Sequence, residues 1–128
     1  MPKLKVEAPA DLPPPRGAYS AALRCGDFVY VAGQSARDSE LNIVGTTVEE
    51  QTRKTIENLA GLLSAAGSSL KEAVKATVHL SNLADFSRYD AVYAELVPEP
   101  RPVRTTVGSV LAPGVLVEID MVAYSGNN

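Results

Sequence analysis

At 128 residues, with 45% apolar and 21% charged side chains, the chain has the size and balance of one globular domain that buries a core without disulfide staples. A net charge of −3, with lysines and arginines scattered singly or in pairs, and two phenylalanines with no tryptophan offer neither a phosphate-binding surface nor a base-stacking platform, so nucleic acid is not an expected partner. No apolar run approaches the roughly 20 residues of a membrane helix, no export signal opens the sequence, and a single cysteine, Cys25, with a single histidine, His79, cannot complete a common zinc ligand set. The expectation is a cytoplasmic protein without membrane or metal.

Residues 1–16, rich in proline from 8 to 16, read as an extended N-terminal arm leading into a single domain over 17–128. In "YSAALRCGDFVYVAGQ" two β-prone runs, 19–24 and 28–33, flank Gly26-Asp27, a hairpin turn signal. A helix is predicted over 47–66: Thr47 and Glu50 have capping-box spacing, Val48, Thr52, Ile56, Leu59, Leu63 and Ala66 recur at helical intervals, and Gly67 supplies the stop. Ser69 and Glu72 mark a short turn before "VKATVHLS", whose alternation places Val74, Ala76, Val78 and Leu80 on one face of a strand and Lys75, Thr77, His79 and Ser81 on the other. A second helix over 83–97 lines Phe86, Tyr89, Tyr93 and Leu96 on one side and ends at Pro98 and Pro100. The last third reads as strands over 104–110 and 115–124 joined at Leu111–Gly114, with Val110 opposite Val115 and therefore Val107 opposite Glu118.

The order β-β-α-β-α-β-β predicts an α+β fold, a mainly antiparallel sheet with two helices packed on one face. The free face is then left to water, a ligand or another subunit. In the last strand Val115, Val117, Ile119, Met121 and Ala123 form one face, and Leu116, Glu118, Asp120, Val122 and Tyr124 the other, a mixture that suits a subunit interface with a polar site inside it. Arg104 carries a planar fork that matches a carboxylate, so it either grips a small anionic metabolite or pairs with Glu118 or Asp120. In the register above, Arg104 and Glu118 point to opposite sheet faces, and one ligand reaches both only through a bulge, another register or a second chain. This favours an oligomer with sites between chains.

The runs "GAYSAAL", "GDFVYVAGQ", "EEQTRKTIENLAGLLSAAGSSLKEAVKATVHLSNLADFSRYDAVYAEL", "PVRTTVGSV" and "VEIDMVAY" resemble, in order and over nearly the whole chain after residue 16, the reactive-intermediate deaminase family, also called the YjgF/UK114 or endoribonuclease L-PSP family. The resemblance implies a chorismate mutase-like fold and a homotrimer with a central barrel and ligand clefts between subunits. It further implies hydrolysis of enamines and imines, such as 2-aminoacrylate and 2-iminobutanoate, to 2-keto acids and ammonia, without a cofactor. Arg104 in "PVRTTV" matches the carboxylate-binding arginine and Glu118 in "VEID" the acid that positions water. Tyr19 matches the pocket tyrosine, and Gly33 with Gln34 the edge of the cleft. Ala18 for proline, Ala32 for serine, Thr106 for cysteine, Asp90 for asparagine and a short segment between Tyr93 and Pro102 depart from the family pattern and bear on the substrate. Ala32, Asp90 and Thr106 thus join Tyr19, Gly33 and Gln34 as candidate substrate contacts. An acidic Asp90 in the cleft would disfavour a second anionic group on the ligand unless Arg88 or Arg101 compensates. Two other readings stand beside the general deaminase: a deaminase for a pathway-specific enamine of aminomuconate or aminoacrylate type, and a non-catalytic metabolite-binding regulatory trimer. Ribonuclease activity, which the family's other name suggests, fits poorly with the acidic charge.

Overall fold

The computed structural model describes residues 2–126. Strands β1 (Lys3–Val6), β2 (Ala22–Cys25), β3 (Phe28–Gln34), β4 (Ala73–Leu80), β5 (Val103–Gly108) and β6 (Val117–Tyr124) form one sheet with helices α1 (Val48–Ala65) and α2 (Phe86–Leu96). Spatial order is β1-β2-β3-β6-β4-β5, antiparallel throughout except for the β4–β5 pair. Among the described residues no helix is long and apolar enough to cross a membrane.

The core lies between the sheet and the helices. Val29, Val31, Ala76, Val78, Leu80, Val117, Ile119 and Met121 from the strands meet Ile56, Leu59, Leu62 and Leu63 of α1 and Tyr89 and Tyr93 of α2. The alternation in β6 holds along its length, every second residue from Val117 to Ala123 being buried. The ends of α1 are built as its sequence prescribes. Thr47 accepts from Glu50 N at 3.2 Å while Glu50 Oε1 accepts from Thr47 N at 3.2 Å, and at the other end Gly67 takes a φ of +85° as Ser68 N donates back to Leu63 O at 2.8 Å. Gly26 likewise adopts a positive φ of 58°, closing the hairpin in which Cys25 pairs with Phe28.

Three sequence expectations need correction. Residues 3–6 are not merely part of an arm, for they add β1 to the edge of β2; the alternation Lys3-Leu4-Lys5-Val6 is there in the sequence but spans only four residues. Val74 is 42% exposed and not buried, because the pairing of β4 with β6 shifts between Ala73 and Lys75 and the inserted residue leaves the face it would otherwise share. Most consequential, β5 and β6 do not form a hairpin. The 111–114 turn exists, with Val115 N donating to Ala112 O at 2.9 Å and Gly114 at φ +82°, but β4 lies between the two strands. The β4–α2–β5 crossover satisfies the β5 ladder in parallel with β4, so the chain must step over the end of β4 to enter β6. Gln51 of α1, 1% exposed, fixes that step: its amide donates to Gly45 O and Gly114 O at 3.1 and 2.9 Å and accepts from Leu116 N at 2.9 Å.

Loss of the cap should be measurable. Thr47→Ala is expected to lower unfolding free energy by about 1 kcal/mol in urea titration. The backbone N–H groups of Thr46 and Thr47 hold the Glu50 carboxyl below its ordinary value of 4.5. A carboxyl held low in the folded state adds stability above that ordinary value, and the contribution is lost as pH falls through the folded value. Glu50→Gln should therefore destabilise at neutral pH and flatten the acid limb of the stability curve.

Candidate functional site

Residues paired across strands share a sheet face, which fixes where each candidate side chain lies. Arg104 pairs with Ala76, and Ala76 pairs with Met121, both core residues; Arg104 therefore points to the helix face, at the β5 edge. Glu118 pairs with His79, on the open face. The two are on opposite faces, as expected, though β4 and not a hairpin turn separates them. Arg104 consequently meets neither Glu118 nor Asp120.

Its partners come from α2. Arg104 Nη1 donates to Asp90 Oδ1 at 2.8 Å, the two side chains being 21% and 43% exposed. The guanidinium carbon stands 4.6 Å from the ring centre of Tyr93, 5.2 Å from Tyr89 and 5.5 Å from Phe86. Three ring faces replace part of the water a guanidinium would otherwise hold, each contact contributing about 0.5–2 kcal/mol. The rings pack edge to face among themselves, so the cage is rigid before any ligand arrives. Asp90 contacts through one oxygen only, and the two-pronged mode of carboxylate binding stays open. Beyond the cage, Asp90, Tyr93, Ala94, Arg101, Pro102 and Arg104 line a recess of about 330 Å³. Arg101 spends its donors on Val97 O and Ala94 O at 3.2 Å, holding the short segment after α2 against the helix. Arg88 turns away to Glu49 at 2.7 Å, and so does not act in the recess.

Thr106 lies on the same face as Arg104, and its hydroxyl is 2.6 Å from that of Tyr89. Burial pushes the Tyr89 phenol up, opposed by this hydrogen bond and by the charge of Arg104; burial pushes Tyr93 up to about 12. Both rings are neutral at physiological pH.

On the other side, the β3–β6 register shifts between Val31 and Gln34, and the bulge carries Ala32 and Gly33. A Cβ at Gly33 would stand 2.7 Å from Glu118 Oε2, so only glycine lets β3 and this carboxylate approach so closely. Gln34 is 7% exposed and folds its amide back onto Ala32 O at 3.1 Å, which stiffens the bulge. Tyr19, in the loop before β2, shares a pocket wall with Gly33 and Gln34. His79, to which the sequence assigns no chemistry, sits beside Glu118 across β4 and holds Ser109 Oγ at 2.7 Å through Nδ1. One chain thus carries two candidate half-sites. Arg104, Asp90 and Thr106 occupy the α2 edge; Glu118 lies on the open face against the bulge of Ala32 and Gly33, while Gln34, paired with the core residue Ile119, turns to the helix side and Tyr19 borders the same pocket as Gly33 and Gln34.

The aromatic cage was not assigned a site role from the sequence, where Phe86, Tyr89 and Tyr93 read as a core stripe. The signal was present in their i, i+3, i+7 spacing, but which strand residue lies beneath them depends on the β4–β5 pairing, which no local pattern gives.

The sequence profile described as Endoribonuclease L-PSP matches residues 10–125. A RutC family protein of Pyrococcus abyssi is 43% identical over 88% of this chain and 90% of its own length. Among solved structures, RidA from the Antarctic bacterium Psychrobacter superposes with a TM-score of 0.88 at 32% identity, covering 94% of this chain and 98% of that one. TdcF of E. coli, solved with bound serine, superposes with a TM-score of 0.85 at 28% identity, covering 94% and 98%.

Thr106→Val keeps the shape of the residue and removes the hydroxyl. It should leave the buried Tyr89 hydroxyl without its partner and cost about 1–3 kcal/mol in chemical denaturation, with Thr106→Ser restoring most of it.

Proposed function

This chain belongs to the Endoribonuclease L-PSP family, the YjgF/RidA group, and from that premise and the two half-sites we propose that it hydrolyses small 2-imino acids, and the enamines that tautomerise to them, to 2-keto acids and ammonia. The observation that carries the reading is Arg104: a permanently charged fork set in a rigid aromatic cage at the mouth of a recess, with one carboxylate contact and room for a second.

The chemistry asks little of the protein. An imine carbon is already electrophilic, so anchoring, delivery of water and handling of protons suffice. Arg104 grips the substrate carboxylate. Glu118, wedged over Gly33, takes a proton from water as its oxygen adds to the imine carbon, and that proton passes on to the nitrogen, giving the carbinolamine. The C–N bond then breaks as the hydroxyl proton moves, by way of Glu118, to the departing nitrogen; ammonia leaves, the C–O bond becomes the keto group, and Glu118 is again a carboxylate. Asp90 offsets the charge of Arg104 in the resting site, which weakens its hold on the carboxylate product. Tyr19 and the Ala32–Gly33–Gln34 bulge form the wall against which the substrate's other end lies.

Within one chain Arg104 and Glu118 face away from each other, so the reading requires one of them from a neighbouring copy. We infer a homotrimer whose clefts join the α2 edge of one protomer to the open sheet face of the next. The open face suits such burial: Phe28 and Tyr30 on β3 and Val103 and Val107 on β5 are 38–70% exposed there in the single chain, two apolar patches that solvent disfavours, flanking the more polar open-face residues of β6 and β4. TdcF is a family structure with an amino acid bound, which supports a small carboxylate as the ligand class here.

With 2-iminobutanoate generated in situ, keto-acid release by the wild type should exceed the protein-free rate. Truncating the anchor in Arg104→Ala should remove roughly 2–5 kcal/mol of binding, and Glu118→Gln should slow release by about a hundredfold or more. Release equal to the protein-free control sinks the reading, and ligand binding without release favours the regulatory alternative. Light scattering showing a monomer would refute the shared cleft.

A further inference from the structure

Two further cationic side chains, Arg16 and Arg37, lie beside the β3 bulge, and the deaminase reading makes no use of either. Arg37, in the loop after β3, donates from Nη1 to Leu41 O at 2.8 Å, while its Nε is buried without a hydrogen-bond partner. Another cation, Arg16, stands close by: burial and the Arg16 guanidinium both press the Arg37 pKa down. Neither arginine forms an ion pair with a carboxylate among the described residues. A part-buried guanidinium facing a like charge is unfavourable unless something negative joins it.

The position is built from the core. Asn58, fully buried in the middle of α1, donates through Nδ2 to Ser35 O at 3.1 Å and Arg37 O at 2.9 Å, and Arg37 bridges to Ile43 across its loop. The helix thus fixes the backbone from which Arg37 projects. Arg16, Tyr19, Gly33, Gln34, Ser35 and Arg37 border one pocket. The Tyr19 hydroxyl already accepts from Arg16 N at 3.0 Å, so its own O–H is left to donate. Two guanidinium groups and a hydroxyl therefore converge with no acid among them, which is the donor set of an oxyanion site.

We propose that this pocket binds an oxyanion and that in the assembled cleft it receives the distal carboxylate of a 2-imino dicarboxylate. The link to the reaction centre is Gly33, which borders the pocket and is also the residue against which Glu118 packs. An anionic tail held by Arg16 and Arg37 lies next to the carboxylate that activates water. The expectation that Asp90 would repel a second anionic group loses its force, because the Asp90 carboxylate is already engaged by the Arg104 guanidinium. The choice of substrate rests on the deaminase reading, whereas the oxyanion pocket does not.

Calorimetric titration with 2-oxoglutarate, a dicarboxylate, and 2-oxobutanoate, a monocarboxylate, separates the two. The wild type should bind 2-oxoglutarate about tenfold more tightly, as one further charge-assisted contact provides. Arg37→Gln should abolish that preference while leaving 2-oxobutanoate binding unchanged. Arg16→Gln, at an exposed side chain whose loss does not threaten the fold, should reduce it severalfold. Arg104→Ala should weaken both ligands equally. Equal affinities in the wild type, no measurable binding of 2-oxoglutarate, or a preference that survives in both Arg37→Gln and Arg16→Gln would overturn the proposal. A dicarboxylate preference that disappears in these variants, in a protein that releases no keto acid, would support the pocket and count against the deaminase reading alone.

Discussion

A guanidinium at the edge of a sheet, held by three aromatic rings and one carboxylate, is the constraint around which the rest of this molecule is arranged. A charge placed on the core side of a strand must be paired, solvated or sheltered. Arg104 is all three in part: Asp90 pairs it, the recess admits water, and Phe86, Tyr89 and Tyr93 offer their faces. Each partner comes from α2, so the crossover that makes β5 parallel to β4 is also the device that brings the cage over the charge. The one parallel pair in an otherwise antiparallel sheet thus coincides with the site. An antiparallel β5–β6 hairpin would have left Arg104 at an edge with no helix above it.

The same topology divides the chemistry between two faces. Glu118 cannot reach Arg104, because paired strands carry side chains in register and β4 lies between the two. On the proposed reading, a fold that puts Arg104 on one face and Glu118 on the other leaves neither group a complete catalyst within one chain, and association of copies becomes part of the design. The bulge at Ala32–Gly33 serves this division. It brings the backbone of β3 against Glu118 where any side chain would intrude, and it leaves the acid fixed beside an opening and not spread across the open face.

What the sequence disclosed depended on range. Thr47, Glu50 and Gly67 act on neighbours within a turn or two, and α1 begins and ends where they place it. The strict alternation from Val115 to Ala123 is a local statement about one strand and its two faces, and it holds residue by residue. Strand order is different, since it is settled by contacts far apart in sequence. The turn at Ala112–Gly114 is real, yet its flanking strands are not partners, because the β4–α2–β5 crossover seats β5 beyond β4. Val74 follows the same logic at smaller scale: its alternation is correct for an unbroken ladder, and one inserted residue in the pairing with β6 reverses its face. In the site, the chemical identities of Arg104 and Glu118 were legible, but the rings around Arg104 were not, for their meaning depends on that strand order.

Charge placement carries the argument one step further. A chain with three more acidic than basic groups keeps the cations of the two proposed sites where acids are scarce or singly engaged: Arg104 with one contact to Asp90, Arg16 and Arg37 with no carboxylate ion pair among the described residues. Several of the other basic groups enter exposed pairs, Lys5 with Glu7, Arg53 with Glu95, Arg88 with Glu49, each worth little in water. The negative surface discourages polyanions, whereas a small anion that enters a recess meets a fixed cation at short range, where Coulomb attraction is least screened. On the proposed reading, selectivity for small acids over large anionic polymers follows from geometry, since Arg104 and Arg37 border recesses only a few side chains wide while the net charge of the chain is negative.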